Sequence, residues 1–127
     1  MGIRIKRKNM KIRAEYTCPL ELTHDIIRGK WKAIIVFQLR KGAQSLTGLK
    51  KGISGISEKM LLEHVNDLLV FGIIKKKSFS GYPLKVEYSL DKRGEKMLDA
   101  VLIMQDIGID IMKEDGKMDF LRAKGLM

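Results

Sequence analysis

Cysteine, histidine and acidic side chains are scarce in this sequence, and long apolar runs are missing. Because Cys18 is the single cysteine of the 127 residues, no disulfide can form within one chain, which fits a reducing compartment. The two histidines, His24 and His64, lie in separate predicted helices without a third clear ligand, so a zinc site is not expected. No run approaches the roughly 18 consecutive apolar residues of a membrane span, and no apolar segment follows the basic N-terminus as it does in a secretory signal. These absences predict a cytoplasmic protein that uses neither metal, cofactor nor membrane.

The shortage of acidic residues leaves the chain strongly basic. It has 25 lysines and arginines against 15 aspartates and glutamates, a formal net charge of +10, which favours polyanionic partners and nucleic acid above all. Residues 1–13 contribute six of the basic side chains and no acidic one, and we interpret residues 1–14 as a basic flexible arm. The arm can either solubilise the protein or contact phosphate groups without regard to sequence, and the composition leaves both open.

A length of 127 residues with 45% hydrophobic residues predicts one domain with a real core. The helical spacing of apolar residues predicts a first helix from Pro19 to about Gly29, because proline suits the first position of a helix and glycine its end. A second helix follows from Trp31 to Gly42. Thr47 is the expected N-cap of a short third helix.

The segment SGISEKMLLEHVNDLLVFGIIKKK, residues 54–77, has small polar residues, then a helical apolar pattern, then a strand-like end. Ser57 is the expected N-cap of this fourth helix. A buried stripe is expected along it at Leu61, Val65, Leu68 and Leu69. Gly72 is expected to end the helix, and a strand follows over Ile73–Lys77.

The order of the remaining elements indicates the fold class. A turn at Ser80–Pro83 leads to an antiparallel strand over Val86–Leu90, and Asp91 is expected to cap a long last helix that runs to about Glu114. Three helices, a fourth after the short turn Ser54–Ile56, a hairpin and a final helix form the order of a winged helix-turn-helix. We therefore predict an α+β fold, mainly α, with a long C-terminal dimerisation helix.

The fourth helix buries one side and presents the other, and its N-terminal end can enter a DNA major groove. Base contacts are expected from Ser57, Glu58, Lys59, Leu62, Glu63 and Asn66. Contacts with the DNA backbone are expected from Thr47, Ser54, Lys75, Lys76, Lys77 and Lys85. The lysines of the strand can instead protect an ordinary sheet edge, although a winged fold favours phosphate contact.

The last predicted helix is apolar over far more than one side. A small monomer can bury only one face of a terminal helix, so the surplus indicates contact with a second chain. The expected dimer contacts are Met97, Val101, Met104, Gly108 and Met112. The acidic residues of this helix form a narrow strip. An acidic surface is expected to face away from DNA.

Three ordered motifs resemble those of one protein family. CPLELTHDIIRGKW, GISEKMLLEHVNDL and YPLKVEYSLDKRG are similar to the signatures of the HxlR-type transcription regulators, over about residues 18–114. The resemblance implies a homodimeric winged helix protein that binds operator DNA, with its domain over residues 15–114 and a C-terminal tail over residues 115–127. Relatives often carry Thr and Gln after KML, where this chain has Leu62 and Glu63, so the operator sequence stays open.

The resemblance also gives Cys18 an expected role. Several HxlR-type regulators use a cysteine in this N-terminal position as a sensor of oxidants or electrophiles. A helix start favours the reactive thiolate, whereas the nearby Glu15 and Glu21 oppose it. The alternative is a small packing residue in the dimer interface. Since the chain has no second cysteine, a disulfide would have to join two subunits or a small thiol.

Two other classes of function remain as alternatives. The first is an RNA-binding or protein-docking winged helix module without a regulatory DNA site. The second is an enzyme with Cys18 as nucleophile and His24 as base, which requires the two side chains within reach of each other. They are six positions apart and on one helix would point to different sides, so no enzyme activity is expected.

Overall fold

The computed structural model describes residues 15–126, and the basic arm expected at residues 1–14 lies outside them. The predicted order is confirmed: the fold is α+β, mainly α, a winged helix-turn-helix with a long C-terminal helix. The elements are α1 (Pro19–Ile27), α2 (Lys32–Gln38) with a 3-10 turn (Leu39–Lys41), α3 (Leu46–Gly52), α4 (Glu58–Val70), β1 (Ile74–Phe79), β2 (Lys85–Leu90), α5 (Lys92–Glu114) and α6 (Met118–Ala123).

Local signals set most helix starts, and one of the predicted caps is wrong. Pro19 occupies the first position of α1 directly after Cys18, whose backbone is extended, as expected. The N-cap of α3 is Ser45 rather than Thr47, because Ser45 Oγ accepts the Gly48 N–H at 3.0 Å. Thr47 already lies inside the helix and is exposed.

The core lies where α2, α3 and α4 meet. Each of these helices supplies apolar side chains at helical spacing, and the best buried of them have no exposed surface. They are Ile35, Val36, Leu49, Leu61, Val65 and Leu68. Burial of one such side chain contributes about 1.5–3 kcal/mol, so this cluster fixes the orientation of α4 relative to α2 and α3.

Strands β1 and β2 form an antiparallel hairpin in which Ile74 pairs with Leu90 and Phe79 with Lys85. The hairpin is tied to the loop before α3, since the Gln44 N–H donates to the Tyr88 carbonyl at 2.9 Å and the Tyr88 N–H to the Gln44 carbonyl at 2.8 Å. Strand β1 begins one residue later than predicted, because the Ile73 N–H still donates to the Leu68 carbonyl and closes α4.

Helix α5 starts in close contact with β1. Asp91 is its N-cap, as predicted, and the Asp91 N–H also donates to the Ile73 carbonyl at 3.0 Å. A Cβ on Gly94 would lie 2.0 Å from that same carbonyl oxygen, so only glycine fits at this position. The contact holds the start of α5 against the segment that follows α4.

The tail expected at residues 115–127 contains the short helix α6. Its Leu121 has no exposed surface, and α6 packs on α5. The chain reverses at Gly116, whose φ is +75°. The sequence analysis missed this helix because its signal, a single buried leucine between charged residues, is too short for a helical period to stand out.

Candidate nucleic-acid interface

Helix α4 separates a buried side from an exposed side. Its N-cap is Ser57, as predicted, with Ser57 Oγ accepting the Met60 N–H at 3.1 Å. Along the inner side Leu61, Val65 and Leu68 are fully buried. The residues expected to contact bases are all exposed, namely Ser57, Glu58, Lys59, Leu62, Glu63 and Asn66. The structure therefore brings these residues together on one outward surface of α4, which we call the α4 outer face.

The charge of the α4 outer face is close to balanced. Lys59 is accompanied by Glu58 and Glu63, and the pair Lys59 and Glu63 is spaced one helical turn apart. Attraction toward a polyanion must therefore come from neighbouring elements. Lys50 and Lys51 supply positive charge nearby, in the exposed last turn of α3. The sequence analysis did not single them out, although two adjacent lysines before a glycine end were a usable signal.

The three lysines of β1 do not lie on one face. Successive residues of a strand point to opposite sides, so Lys75 and Lys77 share a side with Phe79 while Lys76 lies on the other. Lys77 Nζ lies 5.1 Å from the Phe79 ring centroid and Lys85 Nζ 5.5 Å from it. Lys75, Lys77 and Lys85 therefore share one side of the hairpin, which we call the hairpin basic face, and Lys76 lies on the other side.

Two other residues expected at the DNA backbone, Thr47 and Ser54, are exposed on α3 and in the turn between α3 and α4. That turn also holds Gly55, whose φ of +87° suits glycine. Ser54 and Gly55 have short or no side chains, so the backbone here can approach a phosphate group. Ser54 lies in the turn directly before α4, whereas Thr47 lies in the first turn of α3.

An ion pair between α2 and α4 was not foreseen from the sequence. Lys32 Nζ lies 3.1 Å from Asp67 Oδ2, and the Lys32 side chain is only 8% exposed. Asp67 points from α4 toward α2 as the partner of this lysine. A buried lysine requires such a partner, so the pair fixes the rotation of α4 about its own axis.

His64 lies one helical turn from Asp67 on α4, and its Nδ1 is buried without a hydrogen-bond partner among the described residues. Burial lowers the pKa of His64 below its ordinary value, and the positive charge of Lys32 lowers it further. The carboxylates of Asp67 and Glu63 oppose this effect and raise the pKa. On balance His64 is neutral at neutral pH.

The C-terminal end of α4 is joined to α5 by a side chain. Arg93 Nη1 donates to the Phe71 carbonyl at 2.8 Å, where the negative end of the helix dipole favours a cation. Gly72 leaves space for the Arg93 chain, which would lie 3.5 Å from a Cβ placed there. This contact and the hydrogen bond from Asp91 to Ile73 both join the start of α5 to the end of α4.

Part of the outward surface of α5 is apolar. Four large side chains, each three or four residues from another of the group, are between 53% and 62% exposed, and we call them the α5 apolar face. They are Ile103, Met104, Ile107 and Ile111. Among the expected dimer contacts, Val101 is only 7% exposed and packs in the core of its own chain, so it cannot contribute to a second one. Met97 also packs on the core, Met112 is half-buried, and Gly108 has open space around it.

Cys18 is exposed at the start of α1, so its own chain does not bury it. It lines an open depression together with Leu20, Glu21 and His24. Within residues 15–126 no hydrogen bond joins their side chains, and no group of three residues able to hold a metal ion occurs in that range. None of the helices over these residues has the length and apolar character needed to cross a membrane.

The exposed helix, hairpin and long apolar helix recur in known regulators. The chain is 34% identical over 107 residues to YdeP, an uncharacterized HTH-type transcriptional regulator of Bacillus subtilis strain 168, covering 80% of this chain and 84% of that protein. Its structure is similar to that of the redox regulator HypR in its reduced form, with 29% identity and a TM-score of 0.68 over 84% of this chain and 99% of the other. It is also similar to the reduced form of the transcriptional regulator YodB from B. subtilis, with 26% identity and a TM-score of 0.64 over 72% and 90% of the two chains.

The chain also matches one protein family as a whole. Residues 26–116 match the HxlR-like helix-turn-helix family, a span that begins in α1, includes the whole of α2 to α5 and ends just before α6. The matched span contains the α4 outer face, the hairpin basic face and the α5 apolar face. The chain therefore belongs to the HxlR-like helix-turn-helix family of transcriptional regulators.

Proposed function

We propose that the protein is a cytoplasmic homodimer that binds a specific DNA operator with one α4 helix of each protomer in a major groove. The observation that carries this proposal is the division of α4. Its inner side is locked in the core at Leu61, Val65 and Leu68, and its outer face presents only exposed side chains. A rigid helix with a free N-terminal end and polar exposed side chains suits contacts with base edges.

The hairpin basic face supplies the positioning contacts in this proposal. Lysines bind phosphate oxygens without regard to base identity, so Lys75, Lys77 and Lys85 contribute affinity and orientation rather than sequence preference. Because the α4 outer face carries both Lys59 and two glutamates, it contributes little to attraction and mainly to discrimination between sequences. Thr47 and Ser54 complete the backbone contacts beside the start of α4.

The α5 apolar face supports the dimer. Four large apolar side chains on one exposed helix side lower the free energy when a second copy covers them. The interface of this proposal contains Met104 and Gly108 as expected from the sequence, with Ile103, Ile107 and Ile111 replacing the buried Val101. Met97 and Met112 lie at its margins.

Selection of bound duplexes from a random pool, followed by footprinting, tests the proposal. A two-fold dimer is expected to protect an inverted repeat with half-sites about 34–36 Å apart, or a multiple of that distance. Protection of a single unrepeated half-site by a monomer would contradict the dimer. Tighter binding of RNA than of the selected duplex at equal salt would favour the alternative, an RNA-binding winged helix module.

Two substitutions separate base contacts from backbone contacts. Asn66→Ala is expected to weaken the selected operator by about 1–3 kcal/mol and random DNA much less. Lys75→Ala is the matched control on the hairpin, expected to weaken both duplexes alike and to reduce the slope of log affinity against log salt by about 1. Equal losses on both duplexes from Asn66→Ala would show that Asn66 does not contact a base.

We further propose that Cys18 makes DNA binding sensitive to oxidants or electrophiles. The exposure of its thiol at the start of α1 supports this, as does similarity to HypR, a redox regulator. Treatment with a mild oxidant or a quinone is expected to change operator affinity in the native protein and not in Cys18→Ser. Unchanged affinity after modification of Cys18 has been verified by mass spectrometry would leave the thiol with a packing role in the interface.

A further inference from the structure

A cavity of about 490 Å³ lies between α1 and the first turns of α5, with the end of α4 at its base. Sites for small molecules have volumes of about 300–1,000 Å³, so the cavity has the size of a ligand site. Most of its wall is apolar and comes from three elements, with Leu22 and Ile26 on α1, Phe71 after α4, and Met97 and Ala100 on α5.

Two cationic side chains border this apolar wall. Arg93 and Lys96 are three residues apart on α5 and therefore lie on the same side of the helix. Arg93 uses one N–H on the Phe71 carbonyl and keeps further donors, and Lys96 has no ion-pair partner within residues 15–126. None of the residues that line the cavity is acidic. An apolar space with two cations at its border and no carboxylate suits an anion with an apolar body.

We propose that this cavity binds a small organic carboxylate, whose ring or alkyl chain fills the space between α1 and α5 while its carboxylate contacts Lys96 and Arg93. Such contacts are charge-assisted hydrogen bonds, and a guanidinium can hold a carboxylate through two parallel N–H donors. Thr23, whose hydroxyl donates to the Pro19 carbonyl at 3.3 Å, adds the remaining polar group of the wall.

Charge argues against the chain's own N-terminal segment as the occupant. Residues 1–13 carry six basic side chains and no acidic one, so Arg93 and Lys96 would repel them. A second copy of the chain is the other competitor, because the α5 apolar face begins with Ile103, one turn beyond Ala100. The cavity is nevertheless walled by three elements of a single protomer, and none of the four side chains of the α5 apolar face lines it.

The place of the cavity connects the bound carboxylate to the end of α4. Arg93 holds the Phe71 carbonyl with one N–H, so an anion that engages its remaining donors contacts the same side chain that binds the end of α4. We expect the bound carboxylate to change operator affinity, and this part of the inference rests on the proposed function. Binding of the carboxylate to the DNA-free protein does not depend on the proposed function.

Isothermal titration calorimetry of the full-length protein with 2-naphthoate and octanoate tests the site. Saturable binding of both carboxylates is expected. The native protein should bind the neutral 2-naphthamide at least about tenfold more weakly than 2-naphthoate, and Lys96→Gln should bind 2-naphthoate at least about tenfold more weakly than the native protein does. Each change removes one charge-assisted contact. Ala100→Phe is expected to abolish binding because its ring fills the cavity. Lys92→Gln is the matched control, an exposed lysine of α5 outside the cavity lining, and is expected to bind like the native protein.

Three results would overturn the inference: no saturable binding of either carboxylate, equal affinity for the acid and the amide, or unchanged binding in Lys96→Gln. A change in the dimer dissociation constant of Ala100→Phe, measured by sedimentation without ligand, would assign the cavity to a second copy and overturn it as well. Operator affinity is measured separately with and without 2-naphthoate. Binding without any effect on DNA would remove only the coupling, and failure of the proposed function would leave the calorimetric result unaffected.

Discussion

Helices α4 and α5 are both amphipathic, but they differ in what they leave at the surface. In α4 most apolar side chains are inside, with Leu61, Val65 and Leu68 fully buried, and the exposed face is largely polar apart from Met60 and Leu62. In α5 only Gly94 and Val101 are buried, and large apolar side chains such as Ile103 and Ile107 are more than half exposed. The domain therefore buries most apolar side chains of α4 but leaves several large apolar side chains of α5 exposed.

The difference separates two functions within one small chain. A helix whose apolar side is satisfied can offer its polar side to a polar partner at no cost in hydrophobic free energy. A helix with an exposed apolar face gains free energy when a second chain covers it. The first situation suits contact with DNA, and the second suits assembly. Substitutions on each helix are expected to affect different measurements for this reason.

The largest expected effect is on stability through the inner side of α4. Leu68→Ala is expected to lower the free energy of unfolding by about 2–5 kcal/mol, because it leaves a cavity in the core. The measurement is urea unfolding followed by circular dichroism. Leu62→Ala, on the exposed side of the same helix at 41% exposure, is the matched control and is expected to change stability by less than about 0.5 kcal/mol. Similar losses from both would mean that α4 is not divided as described.

The second effect concerns the α5 apolar face. Ile107→Glu places a charge where an apolar contact is expected and should weaken dimerisation at least about 100-fold, about 2.7 kcal/mol. Sedimentation equilibrium measures the dissociation constant. Leu102→Glu carries the same exchange to another side of the helix and is expected to have a much smaller effect on it. If the native protein is monomeric at high concentration, the α5 apolar face does not mediate dimerisation, and the proposed difference in role between α4 and α5 is contradicted.

The third effect tests the ion pair that orients α4. Lys32→Met is expected to cost about 2–3 kcal/mol of stability, less than for a fully buried pair because the Asp67 side chain is 27% exposed. Adding Asp67→Leu should recover most of this loss, since no uncompensated charge remains. Urea unfolding of both single variants and the double variant completes the cycle. Additive losses would show that the two side chains act independently.

The smallest effect is a dependence of stability on pH. Since the pKa of His64 is lowered in the folded protein, the unfolded chain binds the proton more tightly. The stability contributed by neutral His64 is fully present above about pH 6.5 and is lost as pH falls below it. Thermal unfolding between pH 7.5 and 5.5 should show a weaker decline in His64→Gln than in the native protein. His24→Gln, whose side chain is 69% exposed, should retain the native decline.

Much of the candidate site followed from local patterns. The Ser57 cap, the stripe of Leu61, Val65 and Leu68, and the exposed side of α4 depend on residues within one or two helical turns of each other. The order of elements could be predicted for the same reason, because turn residues and the helical spacing of apolar residues are both short-range features of the sequence. Which bases the exposed side chains contact is still a prediction, because it depends on a partner molecule.

The sequence by itself determined the helix order, the polar exposed side of α4 and the apolar surplus of α5, because spacing and composition within a segment control them. Tertiary structure alone decided that Asp67 points to Lys32, that Arg93 holds the Phe71 carbonyl and that Gly94 must lack a side chain. The structure also places Val101 in the core rather than in the expected dimer interface. Each of these depends on how closely two distant segments approach, and that distance is set by the packing of the whole core rather than by any local pattern.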